Sequence, residues 1–208
     1  MTEDIDLITI DKFSEIEKLY FIRINNFYKN LINGDMQSVY DIITKNKSKI
    51  SLRFLDWFVT KYCKMYNTII KVNNKYTNND KFNINIHYKA QLRSYKKDYM
   101  DPFKRQKSSK KFKYECNNFE FVTSLCQLNF MKWIVENEIL LYVNENYEYL
   151  YSKIDHVNLF YKKNKNSSSG SSLDTIDTNS SFTVDIDFNK IDETVNNKKI
   201  KKSFVMEL

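Results

Sequence analysis

Glycine is scarce enough in this chain to limit what it can fold into: 208 residues contain only two, Gly34 and Gly170, and one proline. Phosphate-binding loops and the strained turns that carry nucleophiles need residues that tolerate positive φ or close backbone approach. No GxxxxGK[ST], GxGxxG or GxSxG motif occurs in the sequence. This argues strongly against a P-loop NTPase, a Rossmann dehydrogenase or an α/β-hydrolase.

Metal-binding side chains are few and badly spaced for a zinc site, which normally needs four ligands in short pairs. The cysteines are odd in number and lack CxxC spacing, and there are two histidines: Cys63, Cys116, Cys126, His87 and His156. We therefore expect no zinc site and no cofactor and assign no catalytic residues; whether the chain is an enzyme stays open, with a non-enzymatic role favoured. Three free thiols and no signal-peptide pattern predict a reducing compartment rather than secretion. The longest apolar run, at residues 139–143, is too short for a membrane span, so no membrane partner is expected.

Positive charge is concentrated between residues 89 and 113 of a chain whose formal net charge is +7. Lysine and arginine give salt-dependent affinity for phosphates, and aromatic rings stack on bases with little sequence preference. The candidate phosphate-contacting cations are Lys96, Lys97, Lys104, Arg105, Lys107, Lys110, Lys111 and Lys113. The candidate stacking rings are Tyr95, Tyr99, Phe103 and Phe112. This pattern predicts DNA, RNA or an acidic protein as the partner.

The first fifty residues read as a helical hairpin. Apolar residues recur at three- and four-residue steps over residues 10–31, as one face of a helix requires. Gly34 is predicted to stop this helix, and a second helix is predicted over residues 35–45. We therefore assign residues 1–50 to an N-terminal helical hairpin.

Residues 51–162 are predicted to form an α+β core, with helices packed on a small, mostly antiparallel sheet. Ser51 is positioned to cap a helix, and strands are predicted at residues 69–72, 82–88 and 112–116. The middle strand alternates apolar and polar residues, so His87 is predicted to lie on its solvent-exposed face. A helix that follows it must stop before Pro102.

The C-terminal part is predicted to begin with a helix capped by Thr123 and broken near Asn137, followed by a final helix over residues 144–162. A Ser-rich stretch at residues 163–181 has the composition of a flexible linker. Residues 182–208 contain the alternating segment FTVDIDF and a basic end, and they are predicted to form a strand or tail.

Four separated segments resemble an uncharacterised conserved protein family of large nucleocytoplasmic DNA viruses, the giant viruses. They are FLDWFVTKYC, FNINIHYKAQLRSY, DPFKR and TSLCQLNFMKWIVENEIL, in that order within residues 52–157. The resemblance implies a viral protein made in the host cytoplasm, where viral factories organise replication and assembly, and it is compatible with packaging into the virion. It implies no particular activity.

Three functions stay open at this point. The first is a non-enzymatic viral protein that binds nucleic acid through the basic, aromatic-interleaved segment. The second is a virion structural or assembly protein that uses the same charge against acidic viral partners. The third, less favoured, is a metal-dependent nuclease built from scattered carboxylates near Lys113: Asp56, Asp98, Asp101, Glu115 and Glu120.

Overall fold

The structure is a computed structural model, and it describes residues 7–73, 78–103 and 110–166. The parts of the predicted linker and tail beyond residue 166 lie outside the described residues. A short 3₁₀ turn, Ile10–Lys12, precedes the first helix. The ten α-helices in this part of the chain are α1 Glu15–Lys29, α2 Asn33–Thr44, α3 Leu52–Trp57, α4 Cys63–Tyr66, α5 Ile84–Tyr95, α6 Lys97–Met100, α7 Leu125–Glu136, α8 Ile139–Glu145, α9 Tyr147–Ser152 and α10 Ile154–Asn166. The four strands are β1 Ile69–Asn73, β2 Asn78–Asn83, β3 Lys111–Cys116 and β4 Phe119–Ser124.

The strands form two separate antiparallel hairpins, β1 with β2 and β3 with β4. The predicted α+β class is confirmed, but the predicted single sheet is wrong, because β3 pairs with β4 and not with the earlier hairpin. Asn117 and Asn118 both have positive φ, 49° and 67°. Two consecutive left-handed residues make the tight turn that suits a two-residue hairpin, so β3 turns straight back to pair with β4.

Serine or asparagine side chains cap the starts of α1, α3, α5 and α7. Ser14 makes a complete capping box with Glu17 at the start of α1, and the predicted cap Ser51 accepts a hydrogen bond from the Phe54 amide at 3.1 Å. The predicted cap Thr123 is wrong by one residue, because Ser124 accepts from the Gln127 amide while Thr123 is still in β4. Each such cap satisfies an amide that the first helical turn leaves unpaired.

Gly34 does not stop the first helix. The helix α1 ends at Lys29, and Gly34 lies inside the first turn of α2. Its φ is not positive, and a Cβ placed there would meet no atom within 4 Å. The two-helix hairpin is present as predicted, but glycine is not what separates its helices.

The predicted strand at residues 82–88 is wrong beyond Asn83. The Asn83 side chain accepts a hydrogen bond from the Ile86 amide at 3.0 Å and so starts α5. Ile84 and Tyr88 are buried, whereas Ile86 is exposed. The burial therefore follows the four-residue step of a helix rather than the two-residue step of a strand. His87 is half-buried and stacks on the Phe82 ring at 4.0 Å.

The helix predicted after Ser51 contains a π-helical turn at Phe58–Tyr62, between α3 and α4. Such a turn changes the backbone pairing, so side chains must meet some of its carbonyls. Asn85 is buried and donates to the Val59 carbonyl at 3.0 Å. Tyr161 donates to the Lys61 carbonyl at 3.2 Å. These bonds tie the π turn to α5 and α10.

The last predicted helix, residues 144–162, is divided into the end of α8, α9 and α10. At the first division the Asn146 side chain donates to the Tyr142 carbonyl at 2.8 Å, which is the local competition with helix bonding that asparagine offers. The predicted break at Asn137 is confirmed, because Asn137 ends α7 and Glu138 adopts a left-handed conformation.

A single hydrophobic core joins the N-terminal hairpin to the rest of the described chain. The helix α7 runs through it with apolar residues buried on most sides, as expected for a central helix. Tyr28 of α1 is fully buried and donates to the Leu128 carbonyl at 2.8 Å. Trp57 and Trp133 are both core residues rather than exposed anchors.

Candidate nucleic-acid interface

The junction of α5 and α6 carries the N-terminal part of the predicted basic surface. Lys96 lies between the two helices with φ 60° and ψ 161°, a backbone region nearly exclusive to glycine that costs another residue about 1–3 kcal/mol. Two contacts from the core hold the strained turn in place. Met100 is fully buried, and the Asn129 side chain of α7 donates to the Tyr99 carbonyl at 2.9 Å.

Three half-buried tyrosines meet beside this junction. The Tyr20 ring of α1 lies 5.1 Å from the Tyr95 ring and 5.0 Å from the Tyr99 ring. We call Tyr20, Tyr95 and Tyr99 the tyrosine cluster. Burial is the main cause that raises the pKa of Tyr99 above its ordinary value, so its hydroxyl stays protonated at neutral pH.

Three exposed cations lie close to the tyrosine cluster in space or in the chain. The Tyr95 side chain lies close to the Arg23 guanidinium, and this neighbour raises the pKa of the arginine. Lys96 and Lys97 follow Tyr95 directly and are exposed. Among the ion pairs of the described residues, none involves Arg23, Lys96 or Lys97. We call these three cations and the tyrosine cluster the tyrosine–cation surface.

Lys110, at the other end of the predicted segment, is held within the protein. Its ammonium donates to both carboxylate oxygens of Glu17, at 2.8 and 2.7 Å. Burial alone would raise the pKa of Glu17, but hydrogen bonds from Lys110 and Ser14 outweigh it and hold the pKa below its ordinary value. Lys110 therefore ties β3 to the start of α1 and has little charge left for a partner.

The predicted site residues on strand β3 lie on two opposite faces, one buried and one exposed. Phe112 is 1% exposed and packs edge-on against Phe13 at 5.2 Å, so it belongs to the core and offers no ring for stacking. Lys111 and Lys113 lie on the outer face. Lys113 pairs with Glu120 at 2.7 Å and with Glu115 at 3.6 Å; the Glu120 bond is the main cause that raises the pKa of Lys113.

Phe103 is half-buried and already has a cationic partner, because the Arg53 guanidinium lies 3.8 Å from its ring centre. Lys104, Arg105 and Lys107 lie outside the described residues and stay predictions from the sequence. The structure thus brings Tyr95, Lys96, Lys97 and Tyr99 together and gives Lys110, Phe112 and Lys113 partners within the protein.

The scattered carboxylates do not converge: within residues 7–73, 78–103 and 110–166, no group of three or more His, Cys, Asp or Glu residues could hold a metal ion. Glu115 and Glu120 face each other across the β3–β4 hairpin. Asp56 lies near Asp101 instead. Burial first, and then the Asp101 charge, raise the pKa of Asp56 to about 6, against the opposing effects of Arg53 and Lys61.

The thiols are poorly placed for nucleophilic chemistry. Cys63, Cys116 and Cys126 are all free. Burial is the main cause that raises the pKa of Cys63 and of Cys126, and a protonated thiol is a poor nucleophile. None of the helices in the described part of the chain combines the length and apolar character that crossing a bilayer requires.

Four surface residues, one aromatic ring and three cations, were not among the site residues predicted from the sequence. Tyr20 and Arg23 lie some seventy residues before Tyr95, so only the packing of α1 on α5 reveals them. Lys89 and Arg93 had a usable local signal: four-residue spacing on a helix places them on one face, and both are exposed on α5.

The fold is that of a small α+β protein, and its candidate site combines half-buried tyrosine rings with exposed cations. The chain belongs to a family of unknown function (DUF7197), whose model matches residues 1–205. It is also similar to an uncharacterised protein, L507, of Acanthamoeba polyphaga mimivirus, with 39% identity over 130 residues. That match covers 59% of this chain and 49% of the relative, so the chain spans about half the relative's length. The predicted membership of an uncharacterised giant-virus family is confirmed. No solved structure matches the chain.

Proposed function

We propose that this viral protein binds single-stranded nucleic acid through the tyrosine–cation surface and does not act as an enzyme on it. One observation carries the proposal: the Tyr20 ring contacts both Tyr95 and Tyr99, while Arg23 beside Tyr95, and Lys96 and Lys97 between the two tyrosines in the chain, are exposed. Two of these tyrosines and two of these cations were predicted from the sequence. The other two come from α1.

The chemistry of this surface suits an unpaired strand. Half-buried tyrosine rings keep one face for stacking on bases, and each stacked base contributes about 1–3 kcal/mol. Arg23, Lys96 and Lys97, which form no ion pair with another described residue, remain able to neutralise phosphates. In a duplex the bases are already stacked and paired, so the rings would find no partner there.

The ion pairs elsewhere limit the expected footprint. Lys110 and Lys113 are engaged by Glu17 and Glu120, so we propose that a strand contacts α1, α5 and α6 rather than the β3–β4 hairpin. Lys104, Arg105 and Lys107 remain candidate contacts on sequence grounds alone.

The test is a fluorescence-anisotropy titration with labelled single-stranded DNA, single-stranded RNA and duplex DNA over a range of salt concentrations. The wild type should bind the single strands and respond to salt. The double variant K96A/K97A should bind more weakly. Its slope of log affinity against log salt should be shallower by about 1.4, at about 0.7 per lost phosphate contact.

The matched control is the double variant K111A/K113A, which removes two lysines from the outer face of β3. It should leave the slope nearly unchanged. Equal changes in both double variants would show that the contact is spread over the whole basic segment. No binding of DNA or RNA by the wild type at about physiological salt would reject the proposed function.

A role in virion assembly is the second candidate, and a feature of α1 favours it. Ile16, Leu19 and Ile22 lie on one flank of that helix and are 55%, 66% and 55% exposed. Large apolar side chains grouped on a surface often mark contacts with another protein. The host cytoplasm and the virion remain predicted locations for either role.

The two functions predict different effects of one substitution. Leu19→Ser, which places no charge one helical turn from Arg23, should leave oligonucleotide affinity nearly unchanged if the strand binds only the tyrosine–cation surface. In an assembly protein it should reduce the amount of this chain recovered in purified particles, measured by quantitative mass spectrometry. Unchanged recovery would count against the assembly role of this flank.

A further inference from the structure

A groove of about 520 Å³ lies between α5 and α7 and is also lined by residues of β2. It begins at the tyrosine cluster, because Tyr95 lines it. The side chains that define its character combine aromatic rings with polar groups: Phe82, His87, Gln91, Tyr95, Trp133 and Glu136. Its volume falls within the range of about 300–1,000 Å³ that is usual for small-ligand sites.

The wall formed by α5 follows from helical spacing. His87, Gln91 and Tyr95 stand at four-residue steps and therefore share one face of the helix. Contacts from the core hold this wall in position. The Tyr88 ring packs 5.4 Å from Trp133, and His87 is stacked on Phe82 at 4.0 Å. A planar ligand would thus meet a surface that is largely organised before it binds.

The groove has almost no net charge at neutral pH. Lys132 is the cation in its lining, and it is paired with Glu136 one helical turn away. Burial lowers the pKa of His87 below its ordinary value, which keeps that imidazole neutral. A phosphate would find no free cation here, whereas Arg23 stands outside the groove next to Tyr95. The groove therefore suits the uncharged, planar part of a nucleotide.

We infer that the α5–α7 groove receives one unpaired base of the bound strand, with Tyr95 at its entrance and the Gln91 amide facing the base edge. The inference rests on the proposed function and specifies which part of the strand enters the fold. A glutamine amide offers both a donor and an acceptor, as an adenine edge requires. The neighbouring bases would stack on Tyr20 and Tyr99, and their phosphates would face Arg23, Lys96 and Lys97.

The two tryptophans make the groove directly observable, since Trp133 lines it and Trp57 does not. In Trp57→Phe the single remaining indole reports on the groove. Among the described residues Trp57 Nε1 is buried without a hydrogen-bond partner, so this substitution removes no hydrogen bond. Titrating Trp57→Phe with a single-stranded oligonucleotide should quench the indole emission saturably, in parallel with the anisotropy of the labelled strand.

Gln91→Ala supplies the measurement that separates base contact from phosphate contact. Losing one hydrogen bond should weaken oligonucleotide affinity about three- to tenfold. The salt slope should stay unchanged, because no phosphate contact is lost. K96A/K97A should change the slope and leave the maximum quench of Trp133 the same. The control Trp133→Phe, in which only Trp57 emits, should show no quench.

The outcomes separate this inference from the proposed function. Oligonucleotide binding without any change in Trp133 emission, together with unaltered affinity of Gln91→Ala, would reject the groove and leave the function standing. Failure of every oligonucleotide to bind would reject both. Adenosine monophosphate that quenches Trp133 while no oligonucleotide binds would show that the groove takes a free nucleotide, which also overturns the strand model. Equal affinity for duplex and single strand would contradict base insertion.

Discussion

The α5–α6 junction and the β3 strand carry similar sequence, lysines alternating with aromatic residues, yet the fold uses them differently. At the junction, Lys96 and Lys97 are exposed beside half-buried tyrosines. On β3, Phe112 is buried and Lys113 is paired across the hairpin. Lys110, just before β3, is bound to a buried glutamate.

The difference shows that a lysine counted in the sequence is not always available to bind a partner. A lysine that donates two hydrogen bonds to one carboxylate stabilises the fold and is largely neutralised. An aromatic residue in an amphipathic strand packs inward, whereas one at the end of a short helix can keep an exposed face. We therefore expect loss of the buried Phe112 ring or of the Lys110–Glu17 pair to lower stability, and loss of the Lys96 and Lys97 charges to weaken binding.

The largest effect should come from Phe112→Ala. This ring is 1% exposed and meets Phe13 at 5.2 Å and Phe21 at 5.9 Å, so its loss should lower the free energy of unfolding by about 3–5 kcal/mol. Urea denaturation measures the change. Phe112→Leu, which keeps more volume, should cost clearly less. If Phe112→Ala is fully folded and as stable as the wild type but binds oligonucleotides more weakly, the assignment of Phe112 to the core rather than to the binding surface is wrong.

Lys110→Ala should lower the free energy of unfolding by about 1–2 kcal/mol. This is less than the loss expected when a fully buried ion pair is broken, because the Lys110 side chain is 38% exposed. It leaves the Glu17 carboxylate, 8% exposed, without its lysine. Lys113→Ala, which removes an exposed pair, is the matched control and should change stability little.

The loss in Lys110→Ala should depend on pH. The pKa of Glu17 is lowered in the folded protein, so its charged form contributes stability above its ordinary pKa, and this contribution disappears as pH falls through the lowered value. The difference between wild type and Lys110→Ala should therefore shrink in acid. A constant difference across the pH range would contradict the role given to the ion pair.

Asp56→Asn should raise the free energy of unfolding, whereas Lys110→Ala should lower it. The Asp56 pKa is raised to about 6 from 3.8, which corresponds to about 3 kcal/mol at most and about 1–2 kcal/mol after allowance for partial exposure. A raised carboxyl pKa means that the charged form is penalised in the folded state. Asp56→Asn should therefore be more stable than wild type near pH 7, with the gain vanishing below about pH 4. Thermal unfolding at both pH values tests this, and destabilisation near pH 7 would contradict it.

The smallest stability effect is expected at Lys96, where the backbone itself distinguishes the junction. With φ 60° and ψ 161°, Lys96→Gly should relieve strain of about 1–3 kcal/mol against an entropic cost of about 0.5–1 kcal/mol, a net gain of about 1 kcal/mol. Lys96→Ala removes the same charge and keeps the strain, so it is the matched control. Equal stability of the two variants would show that this turn is not strained.

Local patterns predicted much of the fold because the physics behind them is local. The helix after Ser51, the strand β3 and the break at Asn137 each depend on a cap, an alternation or a helix-ending residue that acts within a few positions. Residues 84–88 were misread because an apolar residue at every second position also places Ile84 and Tyr88 one helical turn apart. The cap at Asn83 then decided for helix.

For the candidate site, the sequence by itself determined the supply of cations and rings between residues 89 and 113, the lack of glycine loops, and the family. Only the tertiary structure decided that Tyr20 and Arg23 lie beside Tyr95 and that Glu17 pairs with Lys110. The reason is distance along the chain. Contacts between residues separated by seventy or more positions depend on how whole helices pack. The local spacing of residues therefore does not predict which lysine will pair with which buried carboxylate.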